Sequence, residues 1–419
     1  MTKDYQVAAG LDIHKEFIQG TILGKSIITI QQRFNRDLQG ILALESWILE
    51  HKCDVVACES TSDYWVVIYD ELSKHVPFIV GNAHDIKVLS HKKTDKIDSE
   101  MIALLALKDM IIPSRIMSRE HRDFRKMVRL RALIVRKRTD IKNRIHSILD
   151  GELFHLSRIL SDIFGASGQR IMHGILNGLS PDKILSVIHA RVRVRKEAEL
   201  RELLDQALSP SALMQLDSCL HIMKAFDEVI KRVTQQIHNY AVEHYPREYH
   251  ILRTVPGIGD ISAITLIAEI GDFKDFNSGD KLASWLGLVP KVYQSANHTI
   301  KRSITKRGSR LGRWIMNQVA HAATRSKKNV LRDWYETKKA AIGTGKAIIG
   351  LARKMTTIIW HLIVNDKEYV DKYSESQKAP AKKELKSSTP IQHHNTLEGV
   401  IALLSDAHST IRQRDPDPI

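Results

Sequence analysis

Apolar residues recur in two rhythms along this chain, and the change of rhythm divides it. The first hundred positions hold short strand-like runs separated by amphipathic helices. Residues 5–13, 17–23 and 27–34 read as three strands, the last two joined by a tight turn at Gly24-Lys25. From Asp37 to His51 the residues Leu38, Ile41, Leu42, Leu44, Trp47 and Ile48 fall at helical spacing, with Asp37 as N-cap. A strand at 54–58, a helix at 64–74, a strand at 78–80 and a helix at 96–110 follow. Three strands, then helices alternating with strands, make an α/β ribonuclease-H-like pattern: a mixed sheet with helices on its faces.

Beyond residue 115 the rhythm is helical. Residues 122–144 carry ten Lys or Arg and two acids, interleaved with Met127, Leu130, Ile134 and Ile141, which predicts a long basic amphipathic helix. Residues 151–210 read as further helices. Leu216, Cys219, Met223, Phe226, Ile230, Val233, Ile237 and Tyr240 then recur at intervals of three and four, as in a coiled-coil or helix-hairpin arm. The spacing leaves open whether this stripe packs on the earlier basic helix or on another subunit. Val255-Pro256-Gly257-Ile258-Gly259 leads into an apolar helix at 260–270, an arrangement of the helix-hairpin-helix type. Residues 311–325 and 347–364 read as closing helices of a mainly α C-terminal part. After about residue 366 the chain turns polar, is expected to be mostly disordered, and has one short helix at 397–405. The expected domains are thus 1–115, 116–247, 248–365 and a tail at 366–419.

Four acids stand out against this pattern. Asp12 and Glu59 each end an apolar strand, and Asp95 and Asp98 lie three apart at a helix start, on one face. Carboxylates gathered at one place repel unless cations neutralise them. Hard, oxygen-seeking Mg²⁺ suits such a set, and two ions can serve phosphate chemistry on both the attacking and the leaving oxygen. Mn²⁺ is the expected substitute.

Composition points the same way. The 419 residues are 43% hydrophobic, enough for real cores, and 63 Lys plus Arg against 48 Asp plus Glu give a formal charge of +15. Such a surplus favours polyanionic partners. Three cysteines, at 53, 58 and 219, exclude a disulfide framework or a Cys-rich zinc site. No secretory leader opens the sequence and no uninterrupted apolar stretch reaches membrane-spanning length, so a cytoplasmic protein is expected. Gly343-Thr344-Gly345-Lys346-Ala347 lacks the spacing and the Ser/Thr of a P-loop. His393-His394 has no neighbouring partner for a metal. The candidate nucleic-acid contacts are Arg125, Lys126, Arg129, Arg136, Lys137 and Arg138 on the basic helix, Gly257 and Gly259 in the glycine turn, and Lys301, Arg302, Lys306, Arg307 and Arg310. Ser295 precedes that last basic stretch in what reads as a polar loop; position alone makes it an ordinary loop serine.

The motifs Gly10-Leu11-Asp12-Ile13-His14-Lys15, Cys58-Glu59-Ser60-Thr61, Lys93-Thr94-Asp95-Lys96-Ile97-Asp98, Val255–Gly259, Gly287-Leu288-Val289-Pro290 and Ile304–Gly308 together resemble the DEDD-type transposases of insertion sequences. That family includes Piv-like DNA invertases. The resemblance covers about residues 5–365. It implies that Asp12, Glu59, Asp95 and Asp98 bind Mg²⁺ in a RuvC-like domain, and that Ser295 is the nucleophile joined transiently to DNA. It further implies a homo-oligomer, dimer or tetramer, acting on element ends and target DNA with a structured non-coding RNA. Two positions depart from the family pattern: Ala296 stands where glycine usually follows the serine, and Ser62 where glycine is frequent. The alternatives are a site-specific invertase and a non-catalytic nucleic-acid-binding relative; the DNA flanking the gene and a metal titration separate them.

Overall fold

Strands form where the alternation placed them: β1 (Val7–Ile13), β2 (Phe17–Gly24), β3 (Ile27–Asn35), β4 (Val55–Glu59) and β5 (Phe78–Gly81). The computed structural model describes residues 3–25, 27–83, 86, 95–295, 298–326 and 329–371, with the backbone alone at 27–28, 95–97, 292–295 and 298–302. The expected tail helix at 397–405 and His393-His394 lie outside the described residues, as does Ala296.

The sheet order is β3-β2-β1-β4-β5, with β1, β2 and β3 antiparallel and β4 and β5 running parallel to β1. This is the mixed sheet that the strand and helix order predicted. Helices α1 (Leu38–Glu50) and α2 (Trp65–Leu72) cover one face. Ile41, Leu44, Trp47, Ile48, Ile68 and Leu72 share a core there with Leu11, Ile13, Ile18, Val56 and Cys58. Asp37 caps α1 as expected, accepting from the Gly40 N–H at 2.7 Å. On the other face, α3 (Asp95–Leu107) packs Ile102, Leu105 and Ala106 with Ala8, Val55 and Ala57.

Gly10 is what lets α3 come so close. A Cβ at this position would lie 2.2 Å from both the Ala103 nitrogen and the Ser99 oxygen, so strand and helix backbones meet. Beside them the Thr21 and Ser99 hydroxyls hydrogen-bond at 2.7 Å. Gly10→Ala is expected to push α3 off the sheet and cost ~1–3 kcal/mol or more, as overpacking does. Urea denaturation measures this; an unchanged midpoint would contradict the contact.

The amphipathic stripes of the second rhythm find each other within the chain. Helix α4 (Arg119–Gly151) and helix α9 (Pro210–His244) form an antiparallel pair. Arg131 donates to Thr234 at 2.6 Å, Arg138 to Asp227 at 3.0 Å and Arg144 to Gln215 at 2.8 Å, so positions rise on one helix as they fall on the other. The expected stripe is buried at Leu216, Cys219, Met223, Val233 and Ile237, and half-buried at Phe226, Ile230 and Tyr240. At the far end, four helices fill residues 156–204: α5 (Leu156–Ile159), α6 (Ala166–Leu176), α7 (Pro181–Val187) and α8 (Ala190–Leu204). They share a core with Ile145 and Leu149 of α4 and with Leu216 and Leu220 of α9.

The near end of the pair belongs to a different core. Phe124, Val128, Val233, Ile237 and Ala241 are buried with α10 (Pro246–Thr254), α11 (Asp260–Ile270), α12 (Gly279–Trp285), α13 (Arg310–Arg325), α14 (Val330–Ile342) and α15 (Thr344–Val364). Helix α14 falls in a stretch that the sequence reading left without an element. By length and composition α15 is long and apolar enough to cross a membrane, although Arg353 and Lys354 interrupt its apolar run. Its apolar side, including Leu351, Ala352, Met355 and Ile359, is buried in this core.

Residues 290–304 correct the sequence reading. In place of a polar loop there is an antiparallel hairpin, β6 (Pro290–Ser295) and β7 (His298–Ile304), with Ser295 paired to His298. Its base is held by Thr305 N–H to Val289 O at 2.9 Å.

Candidate active site

The β1–β4 register pairs Leu11 with Cys58, so Asp12 and Glu59 are the next residues along two adjacent parallel strands. Alternation then decides which face each side chain takes. Ala8 and Ala57 lie in the core beneath α3, and Gly10 meets α3 directly. Asp12 and Glu59, two further on, fall on that same face.

Helix α3 crosses β1 at Gly10, which meets Ser99 and Ala103, and Ala8 shares a core with Ile102 and Ala106. Half-buried Asp98 directly precedes Ser99, which meets Gly10 two residues before Asp12 on the strand. Asp95 begins the helix by its backbone; its side chain is outside the described residues. Among the described residues no group of three or more His, Cys, Asp or Glu stands close enough to hold a metal ion.

Local partners hold the first two acids. His14 Nε2 sits 2.9 Å from Asp12 Oδ2, whose side chain is 13% exposed. The His14 ring stacks on Phe17 at 4.4 Å, and the Arg33 guanidinium lies 3.5 Å over the same ring. Thr61 donates its hydroxyl to Glu59 Oε1. The next residue, Ser62, has φ +57°, in the left-handed region that glycine enters most easily. The departure at position 62 thus sits where backbone geometry favours the residue it replaces.

Ser295 ends β6, well separated in sequence from the acids, and only its backbone is described. The cations after it fold into a turn against the preceding motif. Gly287 (φ +72°) and Gly308 (φ +89°) are in close backbone contact across it, with Arg307 O and Trp285 O 2.2 and 1.7 Å from where their Cβ atoms would lie. Lys306, Arg307 and Arg310 are exposed; Lys301 and Arg302 are on β7, their side chains outside the described residues.

The candidate phosphate contacts on α4 divide. Arg136 is exposed, Lys126 faces Asp123 at 3.0 Å and Lys137 faces Asp140 at 3.5 Å, all at the surface. Arg138 is joined to Asp227. Arg125 and Arg129 both reach inward to Glu269, at 2.8 and 2.7 Å. Glu269 is fully buried near the end of α11, and it also accepts the Ser309 hydroxyl at 2.6 Å. Ser309 in turn caps α13 through the Gly312 N–H at 2.9 Å. Burial alone would push this carboxyl up; Arg129, Arg125 and Ser309 outweigh it and hold it at about 2. Glu269 was missed in the sequence. Its one signal there was a lone acid at the end of an otherwise apolar helix.

The glycine turn divides too. Gly257 (φ +87°) has the Ala323 nitrogen and the Val319 oxygen of α13 at 2.6 Å from its missing Cβ, so helix packing accounts for it. Gly259 has only the tip of Arg253 nearby, at 3.9 Å, and caps α11 at the surface. A further anchor missed in the sequence is Arg115. It donates to Asp275 at 2.7 Å and to Asp272 O at 2.9 Å, tying the segment after the sheet to the C-terminal core.

Comparisons with known proteins bear on both parts. A transposase family model of the DEDD type of IS110 matches residues 9–154, spanning Asp12, Glu59, Asp95 and Asp98. A second, described as the transposase IS116/IS110/IS902 family, matches residues 249–336, including Ser295. The transposase for insertion sequence element IS1111A of Coxiella burnetii is 22% identical over 88% of this chain and 92% of its own. A probable family 20 transposase of Pseudomonas aeruginosa is 26% identical over 75% and 84%. The transposase for IS1328 of Yersinia enterocolitica is 22% identical over 66% and 76%. With both models on one chain in this order, and relatives aligned across most of it, the chain belongs to the DEDD-type transposases of the IS110 family.

Proposed function

We propose that this transposase cuts and rejoins DNA strands of its insertion sequence through a centre made of Asp12, Glu59, Asp95 and Asp98 on one side and Ser295 on the other. The observation that carries the reading is the placement of Asp12 and Glu59 at adjacent strand ends, on the face whose covering helix begins with Asp95 and Asp98. The donor set is all carboxylate oxygen, which suits Mg²⁺, or Mn²⁺ in its place. A bound divalent ion supplies charge stabilisation for the phosphate and a more acidic attacking group.

The protein's own groups would do the rest. Ser295 Oγ attacks phosphorus, one Oγ–P bond forming as one P–O bond to the departing strand end breaks. The serine proton passes to solvent or a nearby base, and the departing oxygen takes one up. The bond count is unchanged, so rejoining needs no nucleotide. Thr61 and His14, touching Glu59 and Asp12, orient those carboxylates.

The RuvC-like assignment of the sheet domain, a coiled-coil role for the arm and a helix-hairpin-helix role for Val255–Gly259 belong to the same proposal. So do a structured RNA partner and an oligomer that brings the two halves together; the formal charge of +15 supports a polyanion on a broad surface. The test is to incubate the full chain with a labelled element-junction duplex and Mg²⁺, then denature in detergent. A covalent protein–DNA adduct that chelation prevents is expected. Cleavage without any adduct would overturn the serine step, and cleavage unaffected by chelation would overturn the metal.

A further inference from the structure

Helix α13 carries a face that neither the acids nor the hairpin uses. Its sixteen residues include three arginines and no acid. Gly312, Ile315, Met316, Val319, Ala320 and Ala323 are buried against the C-terminal core. On the opposite side Arg310, Trp314, Gln318 and Arg325 are exposed, with Arg313 and His321 half-buried beside them. Arg310, Trp314 and Gln318 are spaced four apart, so they form one row along the helix.

Trp314 is 54% exposed, whereas the other five tryptophans are buried or half-buried. A large apolar ring left in water calls for a reason. A protein-docking surface would surround it with further exposed apolar groups. Between 248 and 369 the other large apolar side chain exposed among the described residues is Ile342, on a different helix. One helical turn from Trp314 stand exposed Arg310 and Gln318 and half-buried Leu311 and Asn317, and exposed Lys306 and Arg307 extend the positive field beyond the helix start. An aromatic plane within a row of phosphate-binding cations is the chemistry that holds an unpaired nucleotide, the base on the ring and the backbone on the arginines.

We propose that this face of α13 binds a single-stranded segment of nucleic acid, with an unpaired base stacked on Trp314 and flanking phosphates on Arg310 and Arg325. The row from Arg310 to Arg325 is about 22 Å long at the helical rise, enough for a few nucleotides. The inference deepens the proposed function by giving a site for strands that strand exchange leaves unpaired. It does not depend on cleavage.

The test measures binding by fluorescence anisotropy in a chelating buffer, where the proposed cutting chemistry is off. Full-length parent, Trp314→Ala and Trp314→Phe are compared on labelled single-stranded DNA, single-stranded RNA and blunt duplex, after thermal melting shows that each variant is folded. Trp314→Ala is expected to weaken single-strand binding about tenfold and duplex binding less than about twofold, with Trp314→Phe close to the parent. The stronger effect between the two single-strand probes identifies the strand type. Arg310→Gln should flatten the salt dependence by about one phosphate contact. Equal losses on single strand and duplex, or no loss on either, would overturn the proposal. So would a lower sedimentation mass for Trp314→Ala with unchanged single-strand affinity, since the ring would then be packing a second copy of the chain.

Discussion

A Ser295→Ala chain is expected to form no covalent adduct with DNA and to cleave at least about 10⁴-fold more slowly, because removing a nucleophile that acts with its partners as a unit costs most of the rate. Asp12→Asn should give a loss of similar order by a different route. The side chain keeps its shape at the end of β1 and its proximity to His14, but the negative charge that draws a hard cation is gone. Each variant should melt like the parent. Single-turnover cleavage on a labelled junction, with adducts resolved in detergent gels, separates the two roles. Adduct from Ser295→Ala would end the assignment of the serine. Full-rate cleavage by Asp12→Asn would end that of the carboxylates.

The second large effect concerns stability and falls on Glu269. Deleting this carboxylate leaves Arg125 and Arg129 turned inward without their partner and takes from Ser309 the acceptor of its hydroxyl. Breaking a buried pair on one side costs ~3–5 kcal/mol, and Glu269→Ala is expected to lose that much. Acid provides an independent measure. The folded-state pKa of Glu269, about 2, lies below the ordinary 4.5, so its contribution is fully present above about pH 4.5 and is lost as pH falls towards 2. Linkage puts that contribution at about 3 kcal/mol. Urea denaturation from pH 5 to pH 3 should therefore show a steeper decline for the parent than for Glu269→Ala. Equal slopes would refute the coupling.

The sheet and its acids were legible because the signals were local. Strand alternation, the cap at Asp37 and acids at strand ends can all be read within a few residues. The sequence could not reveal why Gly10 is glycine, since the crowding comes from Ser99 and Ala103, about ninety positions later. The hairpin at 290–304 was misread because its β-branched residues, Val292, Thr299, Ile300 and Ile304, are diluted by Lys, Gln and Arg. The stripe on α9 was correctly seen as seeking a helix, but a periodic pattern does not name its partner. Arg125 and Arg129 look the same in sequence as Arg136; only the buried acid on α11 turns the first pair inward.

The antiparallel arm also sets an order of events during synthesis. The chain leaves the C-terminal core after Val128 and returns to it at Val233, so that core assembles from pieces about a hundred residues apart. The core at the far end, from Ile145 to Met223, is continuous in sequence. At ribosomal rates of ~5–20 residues per second, the far-end core can close while Phe124 and Val128 still wait several seconds for their partners to emerge. The far-end core is thus free to close before the core it interrupts has all its pieces, with the α4 side of the arm already in place.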